Sequence, residues 1–138
     1  MATLQKLPAE TADGVRIQLL ANIELPEDVK GVVDAGADGV GLFRSEFLFM
    51  NRKEWPSEDE QYEAYRKVIK AMKGKPVTVR TLDLGADKTL QFDGANSSAP
   101  PVSSTSALGL RSIRFSLAEP AIFLTQIRAL LRAAKHGL

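Results

Sequence analysis

Residues 41–50 read GLFRSEFLFM, a run that places Arg44 and Glu46 inside the most apolar stretch of the chain. A strand that is buried on both faces is normally apolar throughout. A guanidinium in such a run needs a carboxylate or a bound anion, because an unpaired buried charge is costly. The run therefore predicts a strand whose end carries a charged group with a specific partner.

Three segments rich in β-branched and aliphatic residues predict strands, and the quoted run contains the end of the second one. The predicted strands are VRIQLLANI (Val15–Ile23), DGVGLFR (Asp38–Arg44) and PVTVRTLDLG (Pro76–Gly85). Helical patterns separate them. This alternation predicts an α/β fold with a parallel sheet and right-handed crossovers.

Helix signals stand between these strands and after the third one. Pro26 suits a first helical turn and Gly36 a helix stop, while Ser57 followed by Glu60 forms a capping-box pattern. LGLRSIRFSL predicts a short helix, and a longer helix is predicted to begin at Pro120. The predicted apolar face of that last helix consists of Phe123, Ile127, Leu130, Leu131 and Ala134.

The composition is that of one globular domain. The 138 residues are 44% apolar and 25% charged, with a net charge of +1 and no cysteine. These values favour neither nucleic acid nor an anionic membrane as partner, exclude cysteine chemistry and fit a cytoplasmic protein. We expect a lead-in segment at residues 1–14 and one domain at 15–138, with a Ser/Ala/Pro-rich loop at about 91–107.

Two arginines occupy equivalent places on neighbouring predicted strands. Arg44 closes the second strand, and Arg80 lies late in the third with Asp83 just beyond it. Binding residues of parallel α/β folds lie at the C-terminal ends of strands. One interpretation is a structural ion pair of Arg44 with Glu46 or Asp83. The other is an anion site, since guanidinium groups fork onto phosphate or carboxylate, and the two arrangements can coexist.

Other candidate residues have equally simple structural explanations. DLGADK (residues 83–88) fits a loop whose Gly85 lets the backbone approach a phosphate, or an ordinary turn. Arg111 and Arg114 could join an anion site or be surface charges. His136, the only histidine, fits a cation in the last turn of the last helix.

Several of these motifs, taken in order, resemble one enzyme family. GVGLFRSEFLFMNR, PSEDEQYEAY, VTVRTLDLGADK, ALGLRSIRFSL and LTQIRALLRAA are similar to motifs of the phosphoenolpyruvate-protein phosphotransferases, enzyme I of the bacterial sugar phosphotransferase system. The resemblance covers the chain from about Asp13 to its end. Phosphoenolpyruvate synthase and pyruvate phosphate dikinase share something like the first motif, whereas the form RTLDLGADK resembles enzyme I in particular.

The resemblance implies a partial (β/α)8 TIM barrel, about its first three βα units, that ends before the fourth strand. It implies that Arg44, Arg80 and Arg111 bind phosphoenolpyruvate, with Mg2+ held by residues outside this chain. The implied reaction moves the phosphoryl group to a histidine of the enzyme and on to the carrier HPr, in a cytoplasmic enzyme that is a homodimer at full length. No catalytic residue or metal ligand of the family carries over, so the chain alone is expected to be inactive.

The chain departs from the usual family pattern at two places. Ser45 stands where the family usually has Thr, which keeps the hydroxyl, and Thr105–Ser106 stands where it usually has Asn-Pro.

Two alternative functions are also open. One alternative is a non-catalytic anion-binding or self-associating module, because three strands leave two open sheet edges. The other is part of a phosphoenolpyruvate synthase or pyruvate phosphate dikinase relative.

Overall fold

A parallel sheet of three strands lies at the centre of the computed structural model, which describes residues 7–84 and 109–137. The strands are β1 (Leu20–Ile23), β2 (Gly39–Arg44) and β3 (Val77–Arg80), side by side in that order. The helices are α1 (Val29–Asp34), α2 (Glu58–Met72), α3 (Ile113–Ala118) and α4 (Pro120–Ala134), with 3-10 turns at Pro26–Asp28 and Ser45–Leu48.

Both strand pairings are parallel, as the alternation of strands and helices predicts. Arg44, the last residue of β2, is the register partner of Arg80, the last residue of β3. Gly39 begins β2 against Pro76, where an added Cβ would lie 2.6 Å from the Pro76 carbonyl oxygen. Glycine therefore permits the close approach of β2 to the segment before β3. The prediction of an α/β fold with a parallel sheet is confirmed.

The first strand is shorter than predicted, because β1 begins at Leu20 rather than at Val15. Asp38 immediately precedes β2, and its carboxylate accepts a hydrogen bond from the Leu19 amide at 2.9 Å. The ladder of β2 thus starts opposite residue 20, and just upstream the Asp38 amide donates to the Leu19 carbonyl at 2.8 Å. Val15 lies outside the ladder and is exposed.

Helix α2 begins and ends where its sequence signals predict. The Ser57 hydroxyl accepts from the Glu60 amide at 3.2 Å, and the Glu60 carboxylate accepts from the Ser57 amide at 2.8 Å, which completes the capping box. Lys73 and Gly74 both adopt positive φ after the last turn, which ends the helix. Between these limits the fully buried Tyr65 anchors α2 in the core.

The buried face of α4 differs from the predicted one. Gln126, Ala129 and Ala133 are fully buried, whereas Leu131 is 66% exposed and Ala134 is also exposed. Helix α4 packs against α2, and small side chains at a helix crossing allow the backbones to come close. The prediction was wrong at Leu131 and Ala134, which lie off the face, marked by Gln126, Ala129 and Ala133, that is buried.

Two apolar clusters fix the sheet and the segments that follow its strands. The larger cluster consists of Ile23, Val29, Val32, Val40, Phe43, Tyr65, Val68, Met72, Ala129 and Ala133. The smaller one consists of Phe49, Leu82 and Leu84. Trp55 packs edge-on against Phe49 with ring centroids 6.0 Å apart. This second cluster anchors the chain just beyond β2 and β3.

Some predictions fall outside the described residues. These are the Ser/Ala/Pro-rich loop at 91–107, residues 85–88 of the DLGADK motif and most of the first half of the lead-in segment. Within residues 7–84 and 109–137, every helix is too short or too polar to cross a membrane. A parallel sheet of three strands is compatible with part of a barrel and with other α/β folds.

Candidate functional site

Arg44 and Arg80 lie side by side at the C-terminal ends of β2 and β3, as predicted. They are register partners in a parallel pair, so their side chains leave the sheet on the same face. The Arg44 side chain is 40% exposed and the Arg80 side chain 37% exposed. Two guanidinium groups therefore stand at the rim of the sheet within reach of a dissolved ligand.

A buried carboxylate holds Arg80. Glu46 lies in the 3-10 turn after β2, is 7% exposed, and its Oε1 accepts a hydrogen bond from Arg80 Nη2. Among the described residues, neither Glu46 Oε2 nor Arg80 Nε has a hydrogen-bond partner, although both atoms are buried. Unpaired buried polar atoms are destabilising. The surrounding fold therefore maintains this ion pair in a geometry that leaves hydrogen-bonding capacity unused.

Asp83 connects Arg80 to Arg111. Its Oδ2 lies 3.3 Å from Arg80 Nη1, and its Oδ1 lies 3.5 Å from Arg111 Nη2. The Ser112 amide also donates to the Leu84 carbonyl at 3.4 Å. These contacts tie the segment before α3 to the segment after β3, and they place the third predicted arginine beside the strand-end pair.

Arg44 pairs with a carboxylate outside the predicted set. Its Nη1 donates to Glu24 Oε1 at 2.7 Å, and Glu24 directly follows β1. The expected partners, Glu46 and Asp83, bind Arg80 instead. The interpretation that Arg44 forms an ion pair with a carboxylate is confirmed, but the two predicted partners were wrong. The position of Glu24 in the sequence could have indicated its role. Glu24 follows β1, just as Glu46 follows β2 and Asp83 follows β3.

Each strand end contributes one carboxylate, and the cluster is formally neutral. Glu24, Glu46 and Asp83 follow β1, β2 and β3, and together they balance the three arginines. An arginine has five N–H donors, and the Glu24 ion pair engages only one terminal nitrogen of Arg44. The cluster can therefore bind an anion by adding it to these pairs or by exchanging it for a carboxylate. Phosphate and carboxylate groups match the planar fork of the guanidinium.

The cluster suits an anion better than a metal ion. Among the described residues there is no group of three or more His, Cys, Asp and Glu side chains that could hold a metal. The carboxylates at the strand ends are each engaged by an arginine. The resemblance places the Mg2+ ligands outside this chain, and the role of Mg2+ stays a prediction.

The only histidine lies just beyond the last turn of α4, close to its predicted place. His136 Nε2 is 2.9 Å from the Tyr62 hydroxyl, and the two rings have centroids 6.0 Å apart. This contact connects the end of α4 to α2. The predicted role of His136 as a cation near the end of the helix stays a prediction.

The comparison with protein families agrees with this geometry. Residues 1–138 match the family described as "PEP-utilising enzyme, PEP-binding domain". The chain belongs to this family of phosphoenolpyruvate-binding domains.

Within that class, three curated relatives carry the name phosphoenolpyruvate-protein phosphotransferase. The protein of Cupriavidus necator H16 is 58% identical over 135 residues, which are 97% of this chain and 22% of the relative. Those of Staphylococcus epidermidis and Lactococcus lactis subsp. lactis are 50% and 49% identical, over 97% and 99% of this chain and 23% of each relative. The resemblance inferred from the motifs is confirmed. The chain spans about a fifth of the length of these relatives.

Proposed function

We propose that the chain forms part of the substrate site of a phosphoenolpyruvate-protein phosphotransferase, with Arg44, Arg80 and Arg111 as the residues that bind phosphoenolpyruvate. One observation carries the proposal. The three arginines meet at the C-terminal edge of a parallel sheet, the edge at which α/β proteins bind their ligands. Membership of a phosphoenolpyruvate-binding family supports it.

The chemistry of phosphoenolpyruvate fits the cluster. The molecule carries a phosphate and a carboxylate, and guanidinium groups bind both by paired hydrogen bonds. In phosphoryl transfer the charge spreads over the equatorial oxygens of the moving group, where fixed cations stabilise it. Arg44 and Arg80 are assigned to the phosphate and Arg111 to the same ligand. Glu46 and Asp83 orient Arg80 from two sides.

The proposal places this cluster within a larger enzyme. The domain at residues 15–138, with its loop at about 91–107, forms part of a (β/α)8 barrel. Mg2+, held by residues outside those described, would polarise the phosphoryl group when bound. The group passes to a histidine of the enzyme and then to HPr, in a cytoplasmic homodimer that serves sugar transport. Phosphoenolpyruvate and HPr are the proposed partners, with no nucleic acid or membrane involved.

The 138-residue chain by itself is expected to be inactive. The described residues supply no metal centre, and the lone histidine, His136, contacts Tyr62 on α2. The check is a transfer assay with phosphoenolpyruvate labelled in its phosphoryl group, HPr and this chain alone. Label that reaches HPr would contradict this expectation.

A titration tests the proposed ligand. The isotope-labelled chain is titrated with phosphoenolpyruvate, with and without Mg2+, and amide and arginine Nε–H shifts are followed. We expect changes at Arg44, Arg80 and Asp83 that saturate, and at least about tenfold weaker binding in Arg44→Ala, which loses a charge-assisted contact. Arg16→Ala is the matched control, because Arg16 pairs with Asp38 at the opposite end of β2. Equal effects of the two variants would refute the assignment.

The same neutral cluster also supports a second candidate, an anion-binding module without catalysis. Such a module would recognise the charge and shape of a tetrahedral oxyanion and ignore the rest of the ligand. Inorganic phosphate and sulfate in the same titration separate the two functions. Binding of sulfate as strong as that of phosphoenolpyruvate favours the module, and a preference for phosphoenolpyruvate favours the phosphotransferase.

A further inference from the structure

A buried polar network lies against the strand ends that carry the arginines. Its members are Ser45, Gln61, Tyr65 and Gln126, all at most 1% exposed. They come from the turn after β2, from α2 and from α4. Polar side chains at such depth require hydrogen-bond partners within the protein, and a network of this kind specifies one geometry when every member is paired.

Gln126 is the centre of this network. Its Nε2 donates to Ser45 Oγ at 3.0 Å and to Tyr65 Oη at 3.1 Å. Its Oε1 accepts from the Leu82 amide at 2.8 Å. One side chain on α4 thus uses both of its donors and its acceptor to hold three different segments.

Two of the three partners of Gln126, Ser45 and Leu82, lie close in the chain to the two strand-end arginines. Ser45 follows Arg44 in the chain, and its hydroxyl donates to the carbonyl oxygen of Arg80 itself. Leu82 lies two residues after Arg80. The ladder between β2 and β3 ends at the pair Arg44 and Arg80. Beyond it, the Oε1 of Gln126 gives the Leu82 amide the acceptor that a longer ladder would have supplied.

The hydrogen bonds of the network run in one consistent direction. Tyr65 donates its hydroxyl proton to Gln61 Oε1 at 3.3 Å, and Gln61 Nε2 donates to the Pro56 carbonyl at 3.0 Å. Burial raises the pKa of Tyr65 to about 12, and the contacts of its hydroxyl with the Gln126 and Ser45 side chains oppose that rise. The hydroxyl therefore stays protonated at neutral pH and keeps its donor role.

We infer that Gln126 is a positioning residue for the phosphoenolpyruvate site: it fixes the spacing of Arg44 and Arg80 by binding the Ser45 side chain, which follows Arg44, and the Leu82 amide, two residues after Arg80. The inference rests on the proposed function, and it adds a residue that touches neither arginine side chain. Binding of a forked anion depends on the relative placement of two guanidinium groups, and a displacement of about 1 Å is enough to cost a large factor in such a site. Gln126 acts on that placement through the ends of both strands.

The test compares two variants that lose similar stability for different reasons. Gln126→Leu keeps the volume and removes every hydrogen bond of the network centre. Val68→Ala removes buried apolar volume from α2 and none of the hydrogen bonds that Gln126 makes. Both are expected to unfold at lower urea concentration than the parent chain. In the folded chain, Gln126→Leu is expected to bind phosphoenolpyruvate roughly tenfold more weakly, and Val68→Ala is expected to keep the parent affinity.

A milder pair of variants covers the case in which Gln126→Leu does not fold. Ser45→Ala removes the hydroxyl that joins Gln126 to Arg80, whereas Ser45→Thr keeps a hydroxyl. We expect weaker phosphoenolpyruvate binding in the first and recovery in the second. Equal affinity of Ser45→Ala and the parent chain, or equal losses in Gln126→Leu and Val68→Ala, overturns the inference.

A readout without ligand separates this inference from the proposed function. Amide hydrogen exchange at Leu82 and the Arg80 Nε–H signal report the strand ends directly. If the parent chain does not bind phosphoenolpyruvate, the proposed function fails. The positioning role then stands if Gln126→Leu accelerates Leu82 exchange and shifts the Arg80 signal while Val68→Ala does neither. It falls if both signals are unchanged in Gln126→Leu.

Discussion

Glu46 shows at the scale of one residue how the charged run in the apolar sequence is accommodated. The Glu46 side chain is 10% exposed and is paired with an arginine whose side chain is 37% exposed. Removing one member of a buried ion pair leaves the other charge without its counter-charge, which costs more than the intact pair contributes. The exposed part of Arg80 reduces that cost by letting water solvate the guanidinium.

We expect Glu46→Gln to lower the free energy of unfolding by about 1–2 kcal/mol, because Arg80 loses its buried counter-charge. Glu24→Gln is the control, since Glu24 pairs with Arg44 but has a side chain that is 45% exposed. Its expected loss is about 0–1 kcal/mol. Urea unfolding at pH 7 gives both values, and a larger loss for Glu24→Gln would contradict the role of burial.

A second prediction at the scale of one residue concerns Asp38 and the pH dependence of the unfolding free energy. The Leu19 amide, with a smaller contribution from Arg16, lowers the pKa of Asp38 below its ordinary value. A lowered folded-state pKa means that Asp38 stabilises the fold above about pH 4 and that this contribution is lost as the pH falls through the lower value. Asp38→Asn should therefore reduce the difference in unfolding free energy between pH 6 and pH 2.

Arg16→Gln serves as the comparison for Asp38→Asn. It removes the smaller contribution and leaves the Leu19 amide in place. Its effect on the pH dependence should be smaller than that of Asp38→Asn. The reverse order would show that the ion pair, and not the backbone hydrogen bond, sets the titration of Asp38.

The arginines illustrate what a sequence can and cannot show about a site. The places of Arg44 and Arg80 were predictable, because strand periodicity and parallel topology fix where strands end. The identity of the Arg44 partner was not predictable, since Glu24 is twenty residues away and the lateral order of strands decides which carboxylate reaches it. The binding role of the arginines stays a prediction.

At the scale of elements, the sequence pattern predicted the ends of α2 correctly but not the buried face of α4. The ends of α2 depend on local contacts between Ser57 and Glu60, and local contacts are visible in the sequence. The face of α4 depends on its crossing with α2, which selects Ala129 and Ala133 for their size. Gln126 resembles a surface residue in the sequence, yet its hydrogen bonds to other elements bury it.

The crossing of α4 with α2 predicts a clear loss of stability for one substitution in α4 and almost no change for another. Ala129→Leu adds volume at a fully buried position and is expected to destabilise the chain by about 1–3 kcal/mol through overpacking. Leu131→Ala removes a side chain that is 66% exposed and is expected to change stability by less than about 0.5 kcal/mol. Thermal unfolding of both variants measures the difference. A large loss in Leu131→Ala would restore the face that the sequence predicted.

At the scale of the whole molecule, the described structure leaves apolar surface uncovered. The sheet of the described residues has β1 and β3 at its two edges. Large exposed hydrophobic side chains lie before and on β1, and others lie on α3 and α4. They include Val15, Ile17, Leu19, Leu20, Ile113, Leu117, Leu124 and Leu131. Open strand edges and exposed apolar patches favour association between chains.

We expect the 138-residue chain to associate with itself as its concentration rises. Light scattering at increasing concentration gives the mass, and Leu19→Lys, which places a charge beside the β1 edge, should reduce the association. Leu117→Lys tests the helical surface in the same way. A strict monomer at high concentration would show that neither surface supports association.

The neutral balance of the arginine cluster has a consequence for the kinetics of ligand capture. A site lined by one sign of charge attracts its ligand over a distance, and salt slows that capture. Here Glu24, Glu46 and Asp83 cancel the three guanidinium charges before any ligand arrives. An approaching anion meets little long-range attraction, and its entry amounts to an exchange of partners at contact distance. Its association rate should therefore vary little with ionic strength, and selectivity should reside in how long each anion stays.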